Sequence, residues 1–133
     1  MFRKLDDTIS VAAQIDPADL AEAKRQGFVA IVNNRPDGEQ PGQPTDAEMA
    51  AAAGAQGLAY VAIPITHAGF TDAQVTAMGE ALAAAGGPVL AYCRSGTRST
   101  YVWALARAAA GDDAAALTAK AAAAGYDISG LWR

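Results

Sequence analysis

The chain has 133 residues, which is enough for one domain with a hydrophobic core and too few for two comfortable ones. Hydrophobic residues make up 52% of it and charged residues 18%, a balance typical of a globular protein rather than a disordered one. The formal net charge of −4, with ten basic residues scattered along the chain, argues against a nucleic-acid partner. We therefore expect a single domain over residues 1–133.

The composition also bears on location and cofactors. No apolar run approaches the roughly 18 residues that span a bilayer, and the chain turns acidic at Asp6 and Asp7, where a signal peptide would need its apolar stretch. Cys93 is the only cysteine, so no internal disulfide can form, and a lone thiol fits a reducing compartment. One His and one Cys cannot supply the ligands of an ordinary metal site. These features predict a soluble cytoplasmic protein with no metal, no cofactor and no membrane attachment.

Short apolar runs alternate with helical segments. The runs at 9–15, 28–32, 60–65 and 88–92 predict strands, the first of them an edge strand or strand pair. Helices are predicted from the Asp16–Pro17 pair to Gly27, after capping boxes that begin at Thr45 and Thr71, over 99–110, and from Asp112 or Asp113 onward. This order predicts an α/β domain with a mostly parallel central sheet. Because ligands bind beyond the carboxyl ends of parallel strands, we expect the loops at 33–44, 66–70 and 93–98 to meet and form the site.

Residues 93–99 read Cys-Arg-Ser-Gly-Thr-Arg-Ser and join a predicted buried strand to a predicted helix. Inward-facing N–H groups in such a loop, and the positive end of the helix, favour an anion. Gly96 frees the backbone and Arg98 offers a planar pair of donors. The same field favours the thiolate of Cys93, whereas a purely structural cysteine would explain neither the glycine nor the arginines. We predict Cys93 and Arg98 as catalytic, with the other residues of the motif binding the anion or stabilising the sulfur: Arg94, Ser95, Gly96, Thr97 and Ser99.

Other candidates lie on the two remaining loops. Arg35 either extends the positive cup or pairs with Asp37 or Glu39 to fix its own loop. His67 and Asp37 are candidates for acid–base catalysis, with Glu39 an alternative carboxylate, although a lone loop histidine is more often simply solvated. The large aromatic residues are expected to serve packing: Trp103, Trp132, Tyr60 and Tyr126.

The motif at 93–99 resembles the active-site loop shared, with variations, by rhodanese sulfurtransferases and cysteine-dependent phosphatases. Together with the segments at 27–39, 60–65 and 124–127, it makes nearly the whole chain resemble a bacterial phosphatase-like domain found alone or fused to a metallo-β-lactamase-like hydrolase. The resemblance implies a fold like that of the dual-specificity phosphatases, with a four- or five-stranded, mostly parallel sheet flanked by helices. It also implies a metallo-β-lactamase-like hydrolase or dioxygenase as functional partner.

Two departures from the phosphatase pattern favour sulfur transfer. Phosphatases of this class place one residue more between nucleophile and arginine than the four found here, whereas rhodaneses use the shorter loop. Residues 66–70 hold no carboxylate to protonate a leaving oxygen, and sulfur transfer needs none. We therefore expect a rhodanese-like sulfurtransferase that carries a persulfide on Cys93, taken from thiosulfate or a persulfide. A phosphatase that cleaves a phosphate ester through a cysteinyl phosphate is the alternative, and a non-enzymatic anion-binding or redox-sensing module is the third.

Overall fold

The computed structural model describes residues 1–132 and confirms the predicted α/β domain. One sheet is built from β1 (Arg3–Asp6), β2 (Ile9–Ala12), β3 (Ala30–Asn33), β4 (Ala59–Ala62) and β5 (Val89–Tyr92). The helices are α1 (Asp19–Arg25), α2 (Asp46–Ala55), α3 (Asp72–Ala84), α4 (Thr97–Ala109) and α5 (Ala114–Ala123), followed by a 3₁₀ turn at Ser129–Trp132. No helix within residues 1–132 is long and apolar enough to cross a membrane.

The sheet has the strand order β1-β2-β5-β3-β4, and only the β1–β2 pair is antiparallel. The four parallel strands end in one row, because Tyr92 lies opposite both Ala12 and Asn33, and Asn33 lies opposite Ala62. The residues that follow these strands therefore emerge at one edge of the sheet, as the sequence predicted.

The N-terminal hairpin corrects the prediction of an edge strand or strand pair over 9–15. The edge strand is β1, while β2 lies inside the sheet between β1 and β5. The sequence hides β1 because it reads Arg-Lys-Leu-Asp, and only Leu5 of these four side chains is buried. A charged edge strand of this kind is a common protection against edge-to-edge association.

The core lies on both faces of the sheet, and β5 shows how it is divided. All four residues of β5 are buried. Val89 and Ala91 pack in the cluster under α3, α4 and α5, whereas Leu90 and Tyr92 pack in the cluster under α1 and α2. Trp103 of α4 is fully buried in the first cluster, which confirms its predicted packing role. Core packing on both faces therefore holds β5 in place immediately before Cys93.

Helix starts agree with the predicted caps except at α1. Thr45, Thr71 and Asp113 each accept a backbone N–H of the first helical turn through the side chain. Helix α1 begins at Asp19, two residues beyond Pro17, and its N-cap Ala18 makes no side-chain bond. Instead, the side chain of Asp19 bonds to the segment before the helix: its carboxylate accepts the backbone N–H of Asp16 at 2.8 Å.

Candidate active site

Cys93 is the first residue after β5 and is almost completely buried, with 1% of its surface exposed. Its Sγ accepts the backbone N–H of Gly96 at 3.1 Å. Gly96 has φ +91°, a left-handed conformation that glycine adopts without strain, and helix α4 begins at the next residue. We call residues 93–98 the anion loop. Its turn brings a peptide N–H back onto the sulfur, so that a backbone donor faces the reactive atom.

Several backbone N–H groups of this region have no partner in the protein. Those of Arg94, Ser95, Arg98 and Ser99 donate to no acceptor within residues 1–132. Free N–H groups at a helix N-terminus, where the helix carries partial positive charge, bind anions. The loop therefore supplies donors for an anion next to Cys93 Sγ.

Arg98 is held by three hydrogen bonds and is 8% exposed. Its Nη1 donates to Glu39 Oε2 at 2.8 Å and to the carbonyl of Ile65 at 2.6 Å, and its Nη2 donates to Glu39 Oε1 at 2.9 Å. A guanidinium has five N–H groups, so these bonds leave free the Nε–H and one hydrogen on Nη2, which lie side by side on one edge. Glu39 raises the pKa of Arg98 against the effect of burial, and Cys93 adds to the rise when it is ionised. The free edge is thus available to an anion beside the cysteine.

Glu39 also binds Arg35, as one of the two alternatives for that arginine predicted, while extension of the positive cup by Arg35 stays a prediction. Arg35 Nε donates to Glu39 Oε1 at 2.8 Å, while its Nη1 and Nη2 donate to the side-chain oxygens of Gln14 and Gln40 at 3.1 and 3.0 Å. The hydrogen bond from Arg98, reinforced by Arg35 and opposed by partial burial, lowers the pKa of Glu39 to about 2. Glu39 is therefore ionised at neutral pH and has no proton to donate.

The hydroxyl groups of Ser95 and Ser99 donate to side-chain oxygen atoms and not to Cys93 Sγ. Ser95 Oγ donates to Thr97 Oγ1 at 3.0 Å, and both residues are exposed. Ser99 is fully buried and donates at 2.8 Å to Asn34 Oδ1, whose side-chain nitrogen in turn donates to the carbonyl of Ile63. The predicted donation of Ser99 to sulfur is therefore not seen, because this hydroxyl ties α4 to the end of β3. Anion binding by Ser95 and Thr97 stays a prediction.

The side chains of three other predicted residues take no part in the hydrogen bonds that hold the anion loop. His67 and Arg94 are exposed and make no side-chain hydrogen bond within residues 1–132. Asp37 is exposed and accepts the backbone N–H of Asp46 at 2.7 Å, at the start of α2. That contact serves the helix terminus. The acid–base roles proposed for His67 and Asp37, and anion attraction by Arg94, stay predictions.

Sequence reasoning missed three contacts of the anion loop. The sequence indicates Glu39 as a possible acid and as a possible partner of Arg35, but it does not indicate the bond to Arg98. Gln14 was not considered, although its backbone N–H donates to the carbonyl of Arg94 at 3.2 Å. Tyr126 was assigned to packing, yet its hydroxyl donates to the carbonyl of Ser95 at 3.0 Å. Only Glu39 carried a usable signal, since it is a carboxylate on a loop predicted to face two arginines.

The fold and the site define a class: a phosphatase-like α/β domain with an anion loop that contains a cysteine and an arginine. Residues 1–111 match the family described as "Beta-lactamase hydrolase-like protein, phosphatase-like domain", and the chain belongs to that family. It is 39% identical over 105 residues to the beta-lactamase hydrolase-like protein of Agrobacterium fabrum, a match that covers 79% of this chain and 24% of that protein. The chain thus spans about a quarter of the curated relatives that it matches.

Solved structures agree with this assignment. A proposed phosphatase of Neisseria meningitidis Z2491 superposes with a TM-score of 0.84 at 31% identity, covering 97% of this chain and 92% of that one. The active form of Tk-PTP superposes with a TM-score of 0.72 at 21% identity, covering 96% and 87% of the two chains. The predicted phosphatase-like fold and the predicted family are both confirmed.

Proposed function

We propose that this protein is a cysteine-dependent hydrolase of phosphate monoesters, with Cys93 as the nucleophile. The observation that carries the proposal is the anion loop itself: Cys93 Sγ receives the Gly96 N–H, and the guanidinium of Arg98, which Glu39 holds, interacts electrostatically with Cys93. The family description and the phosphatase-like structural neighbours support this function better than the sulfur transfer favoured by the sequence. Sulfur transfer is the second candidate.

In the proposed reaction, the free N–H groups of the loop and the open edge of Arg98 bind the phosphate oxygens. The Cys93 thiolate attacks phosphorus, an S–P bond forms, and the bond from phosphorus to the leaving oxygen breaks with its electron pair. Water then attacks the cysteinyl phosphate, which releases inorganic phosphate and restores the thiolate. Donors fixed around the phosphate stabilise the charge that develops in both steps.

Among residues 1–132, the only carboxylate that is hydrogen-bonded to the anion loop is that of Glu39. Glu39 is the carboxylate bonded to Arg98, and it is ionised because its pKa is lowered to about 2. Residues 66–70 contain no carboxylate. Without general acid catalysis, the rate depends strongly on how well the departing oxygen carries negative charge. We therefore propose aryl phosphates, including phosphotyrosine, as the substrate class rather than alkyl phosphates.

The proposal is tested with a series of substituted phenyl phosphates and one alkyl phosphate. We expect kcat/KM to rise steeply as the phenol becomes more acidic, and to fall by at least about a thousandfold in Cys93→Ser. Asp37→Asn and His67→Ala serve as matched tests of the remaining acid candidates, and we expect neither to flatten the dependence on the leaving group. Phosphatase activity that survives in Cys93→Ser would overturn the proposal.

A second candidate is sulfur transfer, and the length of the anion loop favours it. Four residues separate Cys93 from Arg98, as in rhodanese loops, and we expect a loop that is one residue shorter than that of the phosphatases to form a smaller cup. The thiolate would attack the outer sulfur of thiosulfate, sulfite would leave, and cyanide would then take the terminal sulfur from the Cys93 persulfide. A metallo-β-lactamase-like hydrolase would be the partner on this hypothesis. Thiocyanate formation that exceeds aryl phosphate turnover, and that is lost in Cys93→Ser, would favour this candidate over the first.

A further inference from the structure

Tyr126 lies in residues 124–127, which follow α5 and which we call the C-terminal turn, and it contacts the anion loop from beyond the residues 1–111 that match the family. We infer that Tyr126 is a positioning residue that stabilises the Cys93 thiolate through the peptide group joining Ser95 to Gly96. The inference rests on the proposed function of Cys93 as a nucleophile, but it concerns the reactivity of the thiol and can be measured without a substrate.

The inference is carried by two hydrogen bonds on the same peptide group. The carbonyl oxygen of that group belongs to Ser95 and accepts the Tyr126 hydroxyl at 3.0 Å. Its N–H belongs to Gly96 and donates to Cys93 Sγ at 3.1 Å. A donor on the carbonyl fixes the peptide plane and polarises the amide, which strengthens the hydrogen bond from the N–H to the sulfur by roughly 10–30%. Tyr126 therefore acts on the sulfur without touching it.

The absence of a side chain at Gly96 leaves room for the Tyr126 hydroxyl next to the anion loop. A Cβ atom on Gly96 would overlap the Tyr126 hydroxyl and would also approach the carbonyl of Ala12 to 3.3 Å. Burial raises the pKa of Tyr126, and the negative charge of Cys93 contributes to the rise while Arg3 opposes it. The phenol consequently keeps its proton at neutral pH and remains a donor to the Ser95 carbonyl.

Two other side chains hold the C-terminal turn in place. The guanidinium of Arg3, from β1, lies 5.6 Å from the centre of the Tyr126 ring, and its Nη1 donates to the carbonyl of Ala124 at 3.1 Å. The hydroxyl of Tyr101, from α4, donates to the carbonyl of Asp127 at 3.1 Å. The turn is thus anchored on both sides of Tyr126, so the loss of a single hydroxyl should not displace it.

The test compares Tyr126→Phe with Tyr101→Phe. Each variant loses one tyrosine hydroxyl that donates to a backbone carbonyl, but only the first of these bonds reaches the anion loop. The readout is the rate at which iodoacetamide alkylates Cys93, the only cysteine, from pH 5 to pH 10. We expect Tyr126→Phe to react about two to five times more slowly than the wild type at neutral pH and equally fast on the alkaline plateau. We expect Tyr101→Phe to match the wild type throughout.

Equal alkylation profiles for Tyr126→Phe and the wild type would overturn the inference. Equal slowing of alkylation in both variants would also overturn it, because the bond from Tyr126 to the Ser95 carbonyl would then act only through the stability of the C-terminal turn. The experiment is separable from the proposed function: a slower thiol in Tyr126→Phe supports the inference even if aryl phosphates are not substrates.

Discussion

Glu39 and Arg98 lie 59 positions apart in the chain and form a two-pronged ion pair, with both carboxylate oxygens on the two terminal nitrogens of the guanidinium. The same carboxylate binds Arg35, whose side chain is 2% exposed. Glu39 therefore compensates two arginines and leaves one edge of Arg98 free. This geometry indicates that Glu39 orients Arg98 rather than blocking the site. The two roles predict opposite effects on activity when Glu39 is replaced.

We expect Glu39→Gln to lower kcat/KM for an aryl phosphate by about 10- to 100-fold, because charge-assisted hydrogen bonds of this type are worth roughly 1.5–3 kcal/mol. Inorganic phosphate should also inhibit the variant more weakly. Glu80→Gln is the matched control, since Glu80 is exposed and its side chain makes no hydrogen bond in the described part of the chain. If Glu39 instead occupied the substrate position, the variant would gain activity and bind phosphate more tightly.

Glu39 should also make stability depend on pH. Its pKa is lowered from 4.5 to about 2 in the folded protein, so its contribution is present above pH 4.5 and is lost as the pH falls from there towards 2. Urea unfolding at intervals between pH 2.5 and pH 6 should show a smaller decline in Glu39→Gln than in the wild type. Other carboxylates titrate in both proteins and cancel in the comparison. Parallel curves would contradict the ionic role of Glu39.

Ser99→Ala separates a structural hydroxyl from an anion-binding one. The substitution leaves the buried Asn34 Oδ1 without its donor, and we expect a loss of about 1–3 kcal/mol in the free energy of unfolding. Turnover should change less than about threefold at temperatures where the variant is folded. Ser95→Ala, which removes an exposed hydroxyl, should cost within about 0.5 kcal/mol. A variant of Ser99 that stays stable but loses phosphate affinity would instead place this hydroxyl on the anion.

Gly96→Ala should disturb the anion loop more than backbone strain alone explains. An alanine at φ +91° is strained, and its Cβ would also overlap the Tyr126 hydroxyl. The control is Gly42→Ala, which has φ +78° and open space around the added atom, so that it measures strain alone, about 1–2 kcal/mol. We expect the Gly96 variant to lose more stability than the control and to slow Cys93 alkylation. Equal losses would show that Tyr126 does not press against this position.

The features that could be predicted from sequence are those encoded by neighbouring residues. The buried run of β5, Cys93, Gly96 and Arg98 stand within ten positions, so local chemistry predicts both the loop and its affinity for anions. Capping at Thr45 and Thr71 was predictable for the same reason.

Contacts between distant segments could not be predicted in the same way. Charge alone could not choose between Asp37 and Glu39 as the partner of Arg35, and the structure gives Asp37 to the start of α2. The tie between Ser99 and Asn34 depends on how α4 packs against the end of β3, which no local pattern reports. The hairpin strand β1 was missed because three of its four residues are charged, which conceals the alternation typical of strands.

The central claim, that Cys93 is a nucleophile held in an anion loop, is tested most directly by trapping the covalent intermediate. The protein is mixed with excess 4-nitrophenyl phosphate, quenched in acid within milliseconds, and analysed by peptide mass spectrometry. The account predicts one phosphoryl group on the peptide that contains Cys93, formed at least as fast as nitrophenol is released at steady state, and none in Cys93→Ser. Steady turnover with no covalent species at Cys93, retained in Cys93→Ser, would contradict it.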